Sequence, residues 1–240
     1  MPHTGGVTDA ADWVALAWAR LQPDGALSVD ATVLAAAGLA LLTLLVPAAW
    51  RWTRIAVTVV HELGHAVVGM MAGRRFTGLV LRPDMSGHTV TVGRTRGFGL
   101  AASTWAGYPA PALVGAGVAR LALEGWAPPL LAAGAVLTLL GLSRARSLYT
   151  GVVLLVLAAG LGVLWWWGTA QVQGAALLGV GLFLLGGAWR HLLAVAARPG
   201  WDSDPGILAR LTHLPRVVWV VSHAVAIAAA SWWLVDGLPL

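Results

Sequence analysis

Cysteine and lysine are absent from this 240-residue chain, and Asp, Glu, Lys and Arg together make up only 10% of it. Without cysteine there can be no disulfide framework, no thiolate nucleophile and no cysteine-ligated zinc. Any metal must therefore be held by histidine and carboxylate side chains. Carboxylates are scarce as well, because the chain contains only two glutamates.

Apolar residues dominate the composition. Hydrophobic residues make up 58% of the chain and the mean hydropathy is +0.78, both above the values that soluble domains carry. The chain is therefore expected to be an integral membrane protein with the lipid bilayer as a partner. Its net charge is +5, but the arginines fall in short loops beside apolar segments, which argues against nucleic-acid binding.

Seven membrane-spanning helices are predicted from the uncharged runs of the sequence. These runs cover residues 31–50, 55–73, 97–119, 126–142, 147–189 and 217–235. A helix needs roughly 20 residues to cross the hydrocarbon, so the run at 147–189 is too long for one crossing. Its polar, glycine-containing segment 168–174 divides it into two. We therefore expect an all-α polytopic membrane protein.

The distribution of arginine predicts the orientation of these spans, because arginine concentrates in cytoplasmic loops. With the N-terminus inside, twelve arginines face the cytoplasm, and only Arg51, Arg54 and Arg120 face outward. Seven crossings then leave the C-terminus outside. The first thirty residues carry no recognisable secretory signal peptide, so the N-terminus is expected to be retained. The predicted location is a bacterial cytoplasmic membrane.

Residues 1–30 form an N-terminal leader, and residues 31–240 are predicted to form one transmembrane domain. Within the leader, segment 8–21 places apolar and basic residues at helical spacing: Trp13, Leu16, Ala17, Arg20 and Leu21. This pattern predicts a short helix at the membrane interface. A frayed leader explains the segment equally well, and both interpretations stay open.

The most informative motif is His61-Glu62-Leu63-Gly64-His65, in the apolar run 55–73. Residues four apart share one face of a helix, so His61 and His65 can offer two imidazoles to one metal ion. Glu62 lies beside them as a base for an activated water. Ionisable groups at membrane depth are costly, and a bound cation would offset that cost. The alternative is a polar helix interface satisfied by neighbouring Ser and Thr.

A third metal ligand is expected in the loop at residues 198–215. Asp204 is the first candidate, although it could instead serve only as the N-cap of a helix that begins at Pro205. Asp202 is a nearby substitute. His223, alone in the last predicted span, ranks third because a lone buried histidine is more often a hydrogen-bonded helix contact.

These residues resemble the site-2 protease class of intramembrane zinc metallopeptidases, peptidase family M50, within the bacterial M50B-like branch. The resemblance rests on three landmarks in order: the motif at 61–65, a Gly-Tyr-Pro sequence at 107–109, and Ser-Asp-Pro at 203–205. It implies one Zn²⁺ per chain and a membrane-protein substrate. The better-known members place the third ligand in a Leu-Asp-Gly or Asn-Pro-Asp-Gly setting and carry an Asn in the helix after the first motif. This chain has neither pattern.

A short β-hairpin is predicted at residues 76–93, after the second span. Residues 89–92 alternate Thr and Val, and residues 84–87 suit a turn. In enzymes of the class that this chain resembles, such a hairpin lies against the membrane near the active site and could pair with an extended substrate strand. A structural plug is the alternative. His88 is interpreted as a polar surface residue.

The third predicted span contains Pro109 and Pro111, which remove backbone donors and tend to break a helix. Tyr108 precedes them and is a candidate oxyanion donor or substrate contact. Ordinary packing by Tyr and Pro in a membrane bundle is the alternative.

Three functional classes are consistent with these residues. The resemblance favours an intramembrane zinc metalloendopeptidase that hydrolyses peptide bonds in or next to transmembrane segments, using zinc-activated water and Glu62 as general base. The alternatives are a non-catalytic metal-binding membrane scaffold and a transporter with a mid-membrane His/Glu site. The intact Glu62 favours the enzyme, because a purely structural metal site needs no general base.

Overall fold

Helices make up most of the computed structural model, which describes residues 9–198 and 200–237. In this part of the chain the helices are α1 (Ala10–Ala19), α2 (Ala31–Leu45), α3 (Pro47–Met71), α4 (Phe98–Ala106), α5 (Pro109–Leu123), α6 (Ala127–Gly141), α7 (Leu148–Trp167), α8 (Ala170–Ala197), α9 (Asp204–Thr212) and α10 (Arg216–Asp236). Strands β1 (Arg75–Leu81) and β2 (Gly87–Val92) follow α3, and a 3-10 turn (Leu142–Arg144) follows α6. The mainly helical prediction is confirmed.

The chain bends by 103° between α2 and α3. Val46 is extended, and Pro47 begins α3, because the residue before a proline avoids helical geometry while proline suits the first helical position. Arg190 donates to the Leu44 carbonyl that the break leaves free. The expected boundary between two spans, at residues 51–54, is therefore wrong: α3 runs through these residues without interruption.

α8 is the central helix of the bundle. Its membrane-length window is 67% buried, against 17–22% for the windows of α6, α7 and α10. Close contact with α5 depends on glycine: a Cβ built on Gly115 would lie 2.6 Å from the Gly181 carbonyl oxygen. On its other sides, α8 brings Gly179 against α2 and Gly187 against α3. Small residues allow such close approach between membrane helices.

The predicted hairpin is present as the antiparallel pair β1 and β2. Its turn reaches back along α3, where Thr58 Oγ1 donates to the Met85 carbonyl over 2.9 Å and Arg54 donates to the Asp84 carbonyl over 2.5 Å. The outer edge of β1 is occupied: the Leu81 amide donates to Thr150 Oγ1 of α7 over 2.8 Å. The hairpin is therefore held between α3 and α7.

Four helices of the described residues are long and apolar enough to cross a membrane: α6 with the turn after it, α7, α8 and α10. The bent pair of α2 and α3 makes a fifth if it counts as one span, and α5 is a shorter apolar helix. The chain is thus an integral membrane protein by length and composition, whereas the exact count of seven spans stays a prediction.

Contacts between distant segments define two ends of the bundle. At one, the terminal end, the Asp24 amide donates to the Gly125 carbonyl over 2.9 Å, and Arg120 donates to the Trp233 carbonyl over 3.1 Å. At the other, the hairpin end, the Arg146 amide donates to the Leu79 carbonyl. Seven crossings would put Asp24 and Trp233 at opposite ends. Their shared end therefore favours an even count.

The N-terminal helix is shorter than the predicted 8–21, and residue 8 lies outside the described residues. α1 rests on the end of α7, where Trp13 stacks on Trp166 with ring centroids 6.0 Å apart. Trp18 is 67% exposed on its free side. The helix itself is present, and its position at the membrane interface stays a prediction.

Candidate metal centre

α3 places the two histidines of the motif side by side. The Nε2 atoms of His61 and His65 are 3.1 Å apart, and the rings meet nearly at right angles, at 89°. A separation of four residues on one continuous helix places the two side chains on the same face. The structure thus brings this part of the predicted site together.

Asp204 completes the cluster from the other side of the cavity. Its Oδ2 lies 3.2 Å from His61 Nε2 and 3.3 Å from His65 Nε2. One potential ligand atom from each of the three residues lies within 4.8 Å of the others, a spacing that could hold a metal ion. The predicted capping role is wrong: Ser203 is the N-cap residue of α9, and no side chain makes a capping hydrogen bond there.

The tautomer of His65 is set by a neighbour on α4. His65 Nδ1 lies 2.7 Å from the Ser103 carbonyl oxygen, which can only accept, so Nδ1 carries a proton and Nε2 is the ring nitrogen that faces the cluster. Ser103 Oγ in turn donates to the His65 carbonyl over 2.8 Å. Metal-binding histidines usually have such a partner on the second ring nitrogen. The sequence carried no signal for Ser103.

The break between α4 and α5 passes directly over the two imidazoles. A Cβ built on Gly107 would lie 2.6 Å from His65 Nε2 and 2.7 Å from His61 Cε1. Only glycine fits this position without displacing a ring. Sequence reasoning named the Gly-Tyr-Pro landmark but not this contact, because α3 and α4 meet only in the folded chain.

The carboxyl group of Asp204 is an anion in this setting. Burial raises the pKa of Asp204, but the adjacent imidazoles of His61 and His65 lower it further, and the net shift is well below the usual carboxyl range. Among the described residues, Asp204 Oδ2 is a buried oxygen without a hydrogen bond of normal geometry. One carboxylate oxygen and two imidazole nitrogens, so placed, are the types of ligand that a divalent cation takes once it replaces the imidazole protons.

Glu62 lines the same cavity of about 420 Å³ as the three potential ligands. Its side chain is buried against the hairpin, since a Cβ built on Gly87 would lie 2.9 Å from Glu62 Oε1. Thr89 Oγ1 donates to the Glu62 carbonyl over 2.7 Å. The start of β2 therefore confines the glutamate beside the cluster.

The other candidates occupy different positions. Asp202 lines the cavity but lies outside the His61, His65 and Asp204 cluster. His223 is fully buried and outside it too; its Nε2 lies 3.1 Å from the Trp105 carbonyl oxygen, as a helix contact would. Tyr108 lines the cavity, with its ring 4.9 Å from that of His61. His88 is exposed and borders the same cavity.

A helical membrane protein with a partly buried His-His-Asp cluster and an adjacent glutamate defines the class: a membrane protein with a candidate metal centre. The chain belongs to the Peptidase M50B-like family, whose profile matches residues 34–235. This confirms the resemblance read from the motifs. No curated protein and no solved structure gives a significant match to the chain.

Proposed function

We propose that this protein is an intramembrane zinc metalloendopeptidase that hydrolyses peptide bonds in or next to transmembrane segments of other membrane proteins. The observation that carries the proposal is the convergence of His61, His65 and Asp204 on one point, with Glu62 in the same cavity. Membership in an M50-type peptidase family supports it.

One Zn²⁺ per chain would be held by His61 Nε2, His65 Nε2 and an oxygen of Asp204. Three protein ligands with one open position are typical of catalytic rather than structural zinc. The metal, when bound, supplies a Lewis acid that polarises a carbonyl and lowers the pKa of water. The hydrogen bond to Ser103 and the missing side chain at Gly107 keep the imidazoles in place for it.

Glu62 is the proposed general base. It takes a proton from the attacking water and returns it to the leaving amine, so the peptide bond breaks with no net change in the protein. Its confinement by Thr58 and Gly87 restricts the side chain to the cavity. A structural metal site would gain nothing from a carboxylate in this position.

The free edge of β2 is the proposed binding site for the substrate backbone. In an antiparallel pair, successive residues alternate between pairs that bond each other and pairs whose groups point away. Leu79 and Leu81 are of the second kind, since the Leu79 carbonyl and the Leu81 amide bond to α7 and the loop before it. The backbone N–H and C=O groups of their partners Thr89 and Gly87 therefore also point away from β1, and both residues line the cavity.

Within residues 9–198 and 200–237, the backbone groups of Thr89 and Gly87 make no backbone hydrogen bond outside the hairpin. An extended substrate segment could pair with this edge and lie across the cluster. A transmembrane helix must unwind to do so, which favours substrates with weak helices near the cleavage site. Tyr108, which lines the same cavity, is the proposed donor to the developing oxyanion.

The decisive experiment compares membranes from cells that express the wild type or Glu62→Gln, and maps new N-termini by mass spectrometry. We expect new termini in or beside transmembrane segments only with the wild type. Both proteins should bind about one zinc, because Glu62 is not a ligand. Zinc in both with no difference in termini would indicate a non-catalytic scaffold. No zinc in either would overturn the metal site and favour a His/Glu transport site.

A further inference from the structure

A second polar cavity, of about 220 Å³, lies at the terminal end of the bundle. Residues 19–24 cover it, and the end of α7 with the start of α8 forms its floor, with Arg20, Asp24, Trp165 and Gln173 in the lining. Pockets for drug-sized ligands measure roughly 300–1,000 Å³, so this one suits a smaller polar group.

Arg20 and Gln173 meet on one carbonyl in this cavity. Arg20 Nη1 lies 3.4 Å and Gln173 Nε2 lies 2.9 Å from the Trp165 oxygen. Arg20 also donates to the Trp166 carbonyl over 2.5 Å, and Gln173 to Leu164 and Gly168. Together they satisfy the free carbonyls at the end of α7. Their two polar heads are therefore close neighbours.

Each of these side chains keeps one buried polar atom unused. Arg20 Nε is a donor without an acceptor and Gln173 Oε1 an acceptor without a donor, among the described residues. Gln173 is only 4% exposed, and a buried unpaired group costs about 1–3 kcal/mol. Asp24 adds a carboxylate to the lining that makes no described side-chain hydrogen bond. The residues that line the cavity thus carry one unused donor on a cation, one unused neutral acceptor and one carboxylate.

The surroundings place this cavity at the level of lipid headgroups. Trp165, Trp166 and Trp167 end α7, and Trp167 is 74% exposed. Tryptophan concentrates at the boundary between hydrocarbon and water. Trp13 and Trp18 of α1 are exposed beside it, at 50% and 67%. The ligand that this environment supplies in highest concentration is a phospholipid headgroup.

We propose that this cavity binds the headgroup of a phosphoethanolamine lipid, with the phosphate on Arg20 and the ammonium on Gln173 Oε1 and Asp24. One positive and one negative side chain match a zwitterion better than an anionic headgroup. Gln173 Oε1 needs an N–H donor, which a primary ammonium has and a trimethylammonium lacks. Phosphatidylethanolamine should therefore be preferred to phosphatidylcholine.

The test is native mass spectrometry of the delipidated, detergent-purified protein with equal amounts of phosphatidylethanolamine, phosphatidylcholine and phosphatidylglycerol of identical acyl chains. We expect about tenfold preferential retention of phosphatidylethanolamine over phosphatidylcholine, the effect of one hydrogen bond to a charged group. Equal retention of these two lipids would overturn the proposal, and preference for phosphatidylglycerol would indicate a simple anion site instead.

Two variants and one control test whether the lipid preference arises in this cavity. Gln173→Met and Asp24→Asn should each remove most of the preference; Asp24 is exposed, so its variant should fold even if the loss of α7 capping harms Gln173→Met. Gln171→Met is the control, because Gln171 bonds Ser28 and lies outside this cavity. A preference that survives Asp24→Asn and Gln173→Met would contradict the site.

Soluble glycerophosphoethanolamine tests whether the cavity binds the membrane lipid or the free headgroup. At millimolar concentration it should leave the thermal unfolding of the delipidated protein unchanged, whereas phosphatidylethanolamine should raise the unfolding temperature. Equal stabilisation by the soluble compound would mean that the cavity serves a water-soluble ligand, and the lipid assignment would fail.

Discussion

Asp204 shows how much of the candidate centre rests on single side chains. Its Oδ2 faces both imidazoles, and its negative charge would attract a divalent cation. Replacement of a ligand that keeps the shape but removes the charge tests this role directly.

Asp204→Asn should weaken zinc binding by more than the 10- to 100-fold that loss of a supporting residue around a metal typically causes. The measurement is zinc content and affinity of the purified protein by competition with a chelator. Asp202→Asn is the matched control and should keep about one zinc. If Asp202→Asn loses zinc and Asp204→Asn does not, the third ligand is Asp202.

Gly107→Ala tests the close approach of the α4–α5 break to the metal ligands. The added methyl would overlap the imidazoles, and such overpacking costs typically about 1–3 kcal/mol. We expect lower thermal stability together with loss of zinc. Gly117→Ala, on α5 with no atom within 4 Å of its Cβ position, should change neither. Full zinc occupancy in Gly107→Ala would show that the break can move away.

At the scale of elements, α10 holds the α4–α5 break over the cluster. Ser222 Oγ accepts from Trp105 Nε1 at 3.0 Å, and His223 donates to the Trp105 carbonyl at 3.1 Å. Trp105 immediately precedes Ala106 and Gly107, so α10 positions the segment that packs on His61 and His65. This is a positioning role rather than ligation.

His223→Phe should leave the Trp105 carbonyl unpaired, at a cost of about 1–3 kcal/mol, and should alter the metal geometry without removing a ligand. The absorption spectrum of the Co²⁺-substituted protein measures that geometry. We expect a shifted spectrum at full metal occupancy, with partial recovery in His223→Gln, which keeps a donor. Complete loss of metal in both variants would instead make His223 a ligand.

The free edge of β2 is the element that the proposed substrate would use. Thr89→Pro removes the outward amide and spares the ladder with β1, while Thr89→Val removes only the hydroxyl. Cleavage should fall roughly fivefold to tenfold in the proline variant, since a backbone hydrogen bond contributes about 1 kcal/mol. The valine variant should retain more activity. Equal rates, measured on a substrate found by terminus mapping, would exclude pairing at Thr89.

At the scale of the molecule, we propose six crossings, an even count that satisfies the contacts at both ends of the bundle. The bent pair α2 and α3 makes one crossing, α4 with α5 the second, and α6, α7, α8 and α10 the rest. Of the fifteen arginines, only Arg20 and Arg120 then lie at the terminal end, which leaves thirteen in or beside segments of the hairpin end. This bias is stronger than in the seven-span arrangement, and we therefore propose that the hairpin end faces the cytoplasm.

This arrangement predicts that the segment before α2 and the end of α10 face the same, non-cytoplasmic side. Since the chain has no cysteine, single cysteines at Gln22, Arg94 and Asp236 can be labelled in intact cells with a membrane-impermeant maleimide. Gln22 and Asp236 should react, and Arg94 only after permeabilisation. Opposite behaviour of Gln22 and Asp236 would restore an odd number of spans.

Several features were determined by local sequence alone. The composition indicates a membrane protein, and helical spacing brings His61 and His65 to one face with Glu62 beside them. The Thr and Val alternation before residue 93 predicts β2. These features depend on periodicity and on neighbours within a few residues, so no knowledge of the folded chain is needed. Asp204 could also be named as the first candidate for the third ligand, from its residue type and its place in the loop at 198–215.

Tertiary structure alone decided the rest. Asp204 lies more than a hundred residues from His65, and only the packing of α9 against α4 brings its carboxylate to the imidazoles. The roles of Ser103 and Gly107 appear only where α3 crosses the α4–α5 break. The number of crossings also depends on a 103° bend at Val46, which hydropathy along the chain does not register. Long-range contacts decide these features, because a short window of sequence does not determine how distant segments are arranged in space.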